Sequence, residues 1–220
     1  MELPHVARDA LVGMVNPAAT ALLVIDIQVD FAGPDGAMAK RGMSLPPIEA
    51  AIDRIDVLIA AARRAGLPIV FIRVVSRPET DSTALKLLNV RKGRPANAPA
   101  ICRAGEIGSD YYRIRPEPGD IEIEKPLFSS FHRTDLEAIL RSKGIDTVLI
   151  CGMTTDCCVD STVRDAFHRN FNVFIASDAC VAYSAALHSG SLDALQKNCA
   201  LLVTVDDVAA AFDERRELAA

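Results

Sequence analysis

Short apolar runs alternate with helix-length amphipathic segments along almost the whole chain, and that alternation leaves few folds open. Residues 21–25 are apolar without interruption and close on Asp26, the pattern of a strand buried on both faces. A helix is expected over residues 46–65. Pro46 and Pro47 open it, Gly66 closes it, and Ile48, Ile52, Ile55, Leu58, Ile59 and Ala62 share one face. Further strands are predicted at residues 67–74, 120–125, 146–151, 172–176 and 200–204. The third alternates strictly, as an edge strand or one with a wet face would. Helices fall between them, one with Thr134 and Glu137 placed as a capping box and one over residues 184–198. Strands alternating with helices predict an α/β fold: a three-layer α/β/α sandwich around a doubly wound parallel sheet of about six strands. The expected strand order is 3-2-1-4-5-6.

The domain organisation follows. Residues 1–19 read as an N-terminal arm, a candidate to pack on a neighbouring subunit, and residues 20–220 as a single domain. Within it, residues 75–119 form a long irregular insertion or lid, with a short helix expected near residues 108–113. The lid carries Arg77, Arg91, Lys92, Arg94, Arg103, Arg113 and Arg115, which could meet an anionic substrate or simply be solvated. Half of the 220 residues are hydrophobic, enough for a sizeable core, and the net charge of −5 gives no basic field for nucleic acid. The apolar runs are strand-length, so no membrane span is expected. The first residues lack the apolar stretch of a signal peptide, and the six cysteines show no C-x-x-C spacing. Reduced thiols and a cytoplasmic location are the expectation.

Chemistry concentrates at residues 149–159, LICGMTTDCCV. An apolar strand ends, Gly152 bends the chain, and Thr154, Thr155 and Asp156 are all helix-capping types. Val159, Val163 and Phe167 then line one helical face. Cys157 and Cys158 therefore fall in a first helical turn, where unpaired N–H groups and the positive dipole end favour a thiolate and can hold an oxyanion. Buried cysteines also occur simply as packing residues. In such sheets ligands bind beyond the carboxyl ends of the strands. Asp26 closes the first strand, Lys125 the third, and Cys158 follows the fourth. A carboxylate to take a thiol proton, a lysine to hold that carboxylate ionised and a thiolate to attack a carbonyl make a coherent set.

The sequence from residue 21 to about 212 resembles the isochorismatase-like cysteine hydrolase superfamily. The matching residues are Asp26, Gln28, Asp30 and Phe31 (D-x-Q-x-D-F), Lys125, Ser129 and Phe131 (K-x-x-x-S-x-F), and the long run from Gly152 through Thr155, Asp156, Cys158, Val159 and Thr162 to Asp165 and Ala166. The resemblance implies that Cys158, directly before the valine, is the nucleophile, with Asp26 as base and Lys125 as its partner. It also implies a non-proline cis peptide just before Thr154, with the Thr154 and Cys158 amides forming an oxyanion hole. Phe31 and Tyr183 are candidates to line the substrate pocket.

Two departures narrow the activity. Nicotinamidases of the superfamily hold a metal with an Asp and several His after the first helix, but no His occurs here between His5 and His132. True isochorismatases lack the cysteine. What remains are metal-free amidases, and Gly152 to Asp156 together with Pro118, Gly119, Asp120 and Ile121 resemble the branch of N-carbamoyl amidohydrolases, which implies no cofactor and a small amide or ureido substrate cleaved through a thioester with release of ammonia. A homodimer or homotetramer is expected by the same resemblance. Nicotinamidase-type and isochorismatase-type hydrolysis are the alternatives within the superfamily. A flavodoxin-like nucleotide-binding module would need a Gly-rich phosphate loop where Asp26, Ile27 and Gln28 stand. A thiol-redox module would use the neighbouring pair Cys157 and Cys158.

Overall fold

The computed structural model describes residues 4–95 and 98–218. Six strands form one parallel sheet: β1 (Thr20–Ile25), β2 (Ile69–Val74), β3 (Ile121–Lys125), β4 (Thr147–Met153), β5 (Asn172–Val181) and β6 (Leu201–Val203). Their order is β3-β2-β1-β4-β5-β6, as the sequence predicts. The helices are α1 (Arg8–Met14), α2 (Val29–Ala32), α3 (Ala37–Lys40), α4 (Pro46–Ala65), α5 (Thr83–Arg91), α6 (Leu136–Ser142), α7 (Asp160–His168), α8 (Ala185–Asn198) and α9 (Val205–Leu218).

Both faces of the sheet are covered, which is why β1 and β4 carry buried residues at every position. On one face Leu22, Val24, Phe71 and Leu149 meet Ile52, Ile55, Leu58 and Ile59 of α4 and Val208 and Phe212 of α9. On the other, Leu23, Ile25, Ile72 and Ile150 meet Leu136 and Leu140 of α6, Val163 of α7 and Leu192 and Leu195 of α8. Each such side chain removed from water contributes about 1.5–3 kcal/mol. Helix α4 ends as its sequence dictates: Gly66 takes a left-handed φ of 76° and its N–H returns to Ala62 and Arg63.

The structure corrects several local expectations. Strand β5 does not stop at residue 176, because Ala179, Cys180 and Val181 resume the apolar pattern and Cys180 and Val181 pair with Gly152 and Met153. The polar interruption is absorbed at the sheet's rim. Ser177 donates to the Val203 carbonyl, and Asp178 binds Arg54 and the Val205 N–H. The Thr134–Glu137 capping box does not form. Thr134 donates instead to the Ser130 carbonyl at 2.6 Å, and Glu137 pairs with Arg169. Lid residues 83–91 form α5, whose side chains are not buried, so no apolar face marks it in the sequence. The short helix expected near 108–113 is a 3-10 turn, Ile107–Ser109. The described part of residues 1–19 lies on this chain's own α9. Leu11 and Val15 are buried there, and Arg215 donates to the Val12 carbonyl.

Candidate active site

The centre of the sheet draws its two middle strands unusually close where they end. Gly152 faces Ile25 across the β1–β4 ladder with φ 122°, and a Cβ there would stand 2.2 Å from the Ile25 carbonyl oxygen. Only glycine permits that approach. It sets Asp26, the first residue after β1, beside the chain that leaves β4. Asp26 itself takes a left-handed φ of 56°, a conformation in which Asp is among the better tolerated residues. Its N–H is bonded to the Ile72 carbonyl.

The chain leaving β4 contains a cis peptide between Met153 and Thr154, neither of them proline. The helix that follows opens wider than the sequence predicts. Residues Thr155–Val159 form a π-type turn, with the Val159 N–H reaching the Thr154 carbonyl at 3.1 Å, before α7 begins. None of Thr154, Thr155 or Asp156 caps it through a side chain. Among the described residues the Thr154 N–H has no backbone acceptor. The Thr155 hydroxyl lies 2.8 Å from Nδ1 of His188 on α8.

Asp26, Lys125 and Cys158 come together at this point. Lys125 Nζ is 2.8 Å from Asp26 Oδ2, with both side chains shut off from solvent, and Nζ also donates to the Phe128 carbonyl at 2.5 Å. Cys158, only 6% exposed, is near enough to both groups to bear on how each holds its proton. Burial holds the Asp26 carboxyl above the usual carboxylate range, although the Lys125 charge and then the Cys158 hydrogen bond pull it down. Burial alone would depress Lys125, but the charges of Asp26 and Cys158 keep it above an ordinary lysine. The Cys158 thiol is not depressed, contrary to the expectation for a helix start. A hydrogen bond with Cys157, then burial, then the Asp26 charge push it well above the usual thiol value, with Lys125 opposing. The same hydrogen bond lowers the half-exposed Cys157. The site thus gathers a carboxyl group, an amine and a thiol out of solvent, the groups that a proton transfer from sulfur to oxygen requires.

The remaining motif residues brace this centre. Gln28, fully buried, donates to the Val74 and Ser109 carbonyls and accepts the Val74 N–H, so one side chain joins β1, β2 and the lid. Asp30 accepts the N–H groups of Ala37 and Cys102, and Gly108 rests directly on its carboxyl group. In the K-x-x-x-S-x-F loop, the Thr162 hydroxyl donates to the Cys158 carbonyl at 2.7 Å. With that hydrogen committed, the Thr162 oxygen accepts from both the N–H and the hydroxyl of Ser130. Ser129 bonds Asp165 at 2.5 Å. The motif carrying the lysine is therefore bolted to the motif carrying the cysteine. The sequence showed these residues as pattern matches, without a role for any of them.

The two pocket candidates meet one another: the Tyr183 hydroxyl donates to the Phe31 carbonyl at 2.8 Å. Burial, then Cys102 and Cys158, push the Tyr183 phenol up. Three of the lid cations are already engaged. Arg77 binds Glu124, Arg103 binds Asp81, and Arg113 binds Glu49 and Asp53. Among the described residues no group of three or more His, Cys, Asp and Glu is placed to hold a metal ion, and no helix is long and apolar enough to cross a membrane.

The isochorismatase domain family matches residues 20–207, which span every strand. This chain belongs to the isochorismatase family. It is 32% identical over 191 residues to ureidoacrylate amidohydrolase RutB of Methylobacterium radiotolerans, covering 81% of this chain and 73% of that protein. A cysteine hydrolase structure from Pseudomonas syringae pv. phaseolicola superposes with a TM-score of 0.81 at 26% identity, covering 98% of this chain and 100% of the other. N-carbamoylsarcosine amidase from Thermoplasma acidophilum gives a TM-score of 0.69 at 28% identity, covering 85% of this chain and 96% of its own.

Proposed function

We propose that this amidohydrolase of the isochorismatase family cleaves the C–N bond of a small amide or ureido (N-carbamoyl) compound through a thioester on Cys158, releasing ammonia. The observation that carries the reading is the buried convergence of a thiol with a carboxylate already neutralised by a lysine. The substrate class is that of two relatives, named for ureidoacrylate and N-carbamoylsarcosine.

Asp26 accepts the Cys158 proton as sulfur attacks the carbonyl carbon, and the π pair moves to oxygen. That oxyanion meets the Thr154 and Cys158 N–H groups. The C–N bond then breaks, nitrogen takes the proton from Asp26 and ammonia departs. Asp26 next takes a proton from water, whose oxygen attacks the thioester, and collapse returns the proton to Cys158 sulfur. Lys125 stays charged throughout. It keeps Asp26 ionised between proton transfers, and a raised pKa suits that part. Phe31 and Tyr183 line the wall against which the substrate rests.

The test is an ammonia-release screen over small amides, ureides and carbamoyl amino acids, run with and without a chelator. Cys158→Ala should lose about 10³-fold or more in kcat, and Cys157→Ala should keep most of the activity. Chelation should change neither. Undiminished turnover by Cys158→Ala overturns the reading.

A further inference from the structure

The oxyanion turn is held from outside by a contact that the proposed chemistry does not use. Thr155 is completely buried, and its hydroxyl must give its hydrogen to something. Among the described residues its hydrogen-bond partner is Nδ1 of His188, at 2.8 Å. His188 projects from the first turns of α8, a helix that packs against the turn Thr155–Val159. The backbone immediately before Thr155 is the Met153–Thr154 peptide, whose Thr154 N–H is left without a backbone acceptor. A hydroxyl that donates to Nδ1 requires the neutral imidazole with its hydrogen on Nε2. A protonated ring would turn Nδ1 into a donor and leave the Thr155 hydroxyl hydrogen without an acceptor. Burial already disfavours the charged ring, with Asp156 opposing.

We propose that His188 is a positioning residue. By accepting the Thr155 hydroxyl it fixes the rotation of the turn, and so aims the Thr154 N–H at the substrate oxygen. The role rests on the proposed function. His188 touches no reacting atom and acts only through Thr155. Its loss should therefore weaken the hold on the oxyanion without changing the thiol or the binding of the ground-state amide. Displacements of this kind cost about 10–100-fold in rate.

The variants are His188→Leu, which has the bulk without an acceptor, and His188→Asn, whose Oδ1 can take the place of Nδ1. Thr155→Val and Thr155→Ser make the matching pair. With an amide turned over by the parent, His188→Leu and Thr155→Val should each lower kcat about 10–100-fold with KM within about threefold. His188→Asn and Thr155→Ser should recover most of that loss, and the double variant His188→Leu/Thr155→Val should be no worse than either single one. A second measurement needs no turnover. Propionaldehyde adds to a thiol as a hemithioacetal: the S–C bond forms, the carbonyl π pair moves to oxygen and the thiol proton passes to Asp26. Its binding is read as protection of Cys158 from iodoacetamide, mapped by mass spectrometry. Protection should need about tenfold more aldehyde in His188→Leu than in the parent, with alkylation in its absence unchanged. Equal protection of both, or an Asn variant no better than Leu, overturns the positioning role alone. No protection of the parent overturns the proposed function and this role with it.

Discussion

At the residue scale the decisive pair is Asp26 with Lys125, two opposite charges sealed from water 2.8 Å apart. Such a pair adds little net stability over a well-packed apolar pair, yet breaking it is expensive because the survivor stays buried and unpaired. Lys125→Met should therefore lower stability by about 3–5 kcal/mol, read as a lower urea midpoint. The same pair sets the pH dependence. In the proposed mechanism Asp26 must be ionised to act as base, and burial holds its carboxyl above the ordinary 3.8. The acid limb of kcat/KM should accordingly lie above that value, with activity lost as pH falls through it. Asp26→Asn should lose about 10²–10⁴-fold in kcat and abolish that limb. A pH–rate profile of the parent whose acid limb falls at or below 3.8 would contradict the base assignment.

At the element scale, β1 and β4 matter through their closeness. Gly152→Ala would force a methyl group into the Ile25 backbone and ask alanine for φ 122°. Destabilisation of about 3–5 kcal/mol is expected, seen as a drop in Tm of about 10 °C. A Tm within about 2 °C of the parent would show that the strands separate easily, against the geometry of the site. Much of the fold was legible because burial on both faces writes itself as unbroken apolar runs, as in residues 21–25. Asp26 and Lys125 stood out as charged side chains at strand ends and the cysteine pair as following the fourth strand, while the choice of Cys158 over Cys157 came from the family motif. The roles of Gln28, Asp30, Ser130 and Thr162 were not legible, because the bonds Gln28–Ser109, Asp30–Cys102 and Ser130–Thr162 join residues far apart in the chain. His188 gave no signal at all, since its partner Thr155 is 33 positions away. Helix α5 escaped because nothing it carries is buried, and β5 because Ser177 and Asp178 mimic a strand end while binding the rim. The raised Cys158 thiol runs against the helix-start expectation because Cys157, then burial, then the Asp26 charge outweigh the start of a helix.

At the scale of the whole molecule, two separate cores hold the sheet between them, and the site lies where its central strands run out. The segment between β2 and β3 is tied down at Ser109 and Cys102 through Gln28 and Asp30, neighbours of Asp26 in the chain, so that segment and Asp26 are placed together. The K-x-x-x-S-x-F loop does the same for the lysine and the cysteine through Ser130 and Thr162. Three distant stretches of chain thereby converge on one sulfur. The central claim is that this sulfur carries the acyl group, and hydroxylamine partitioning tests it most directly. With an amide or ureido substrate in turnover, added hydroxylamine should intercept the thioester and give a hydroxamate or N-hydroxyurea, with none formed by Cys158→Ala. Continued ammonia release without any diverted product, at hydroxylamine concentrations that trap a model thioester, would contradict it.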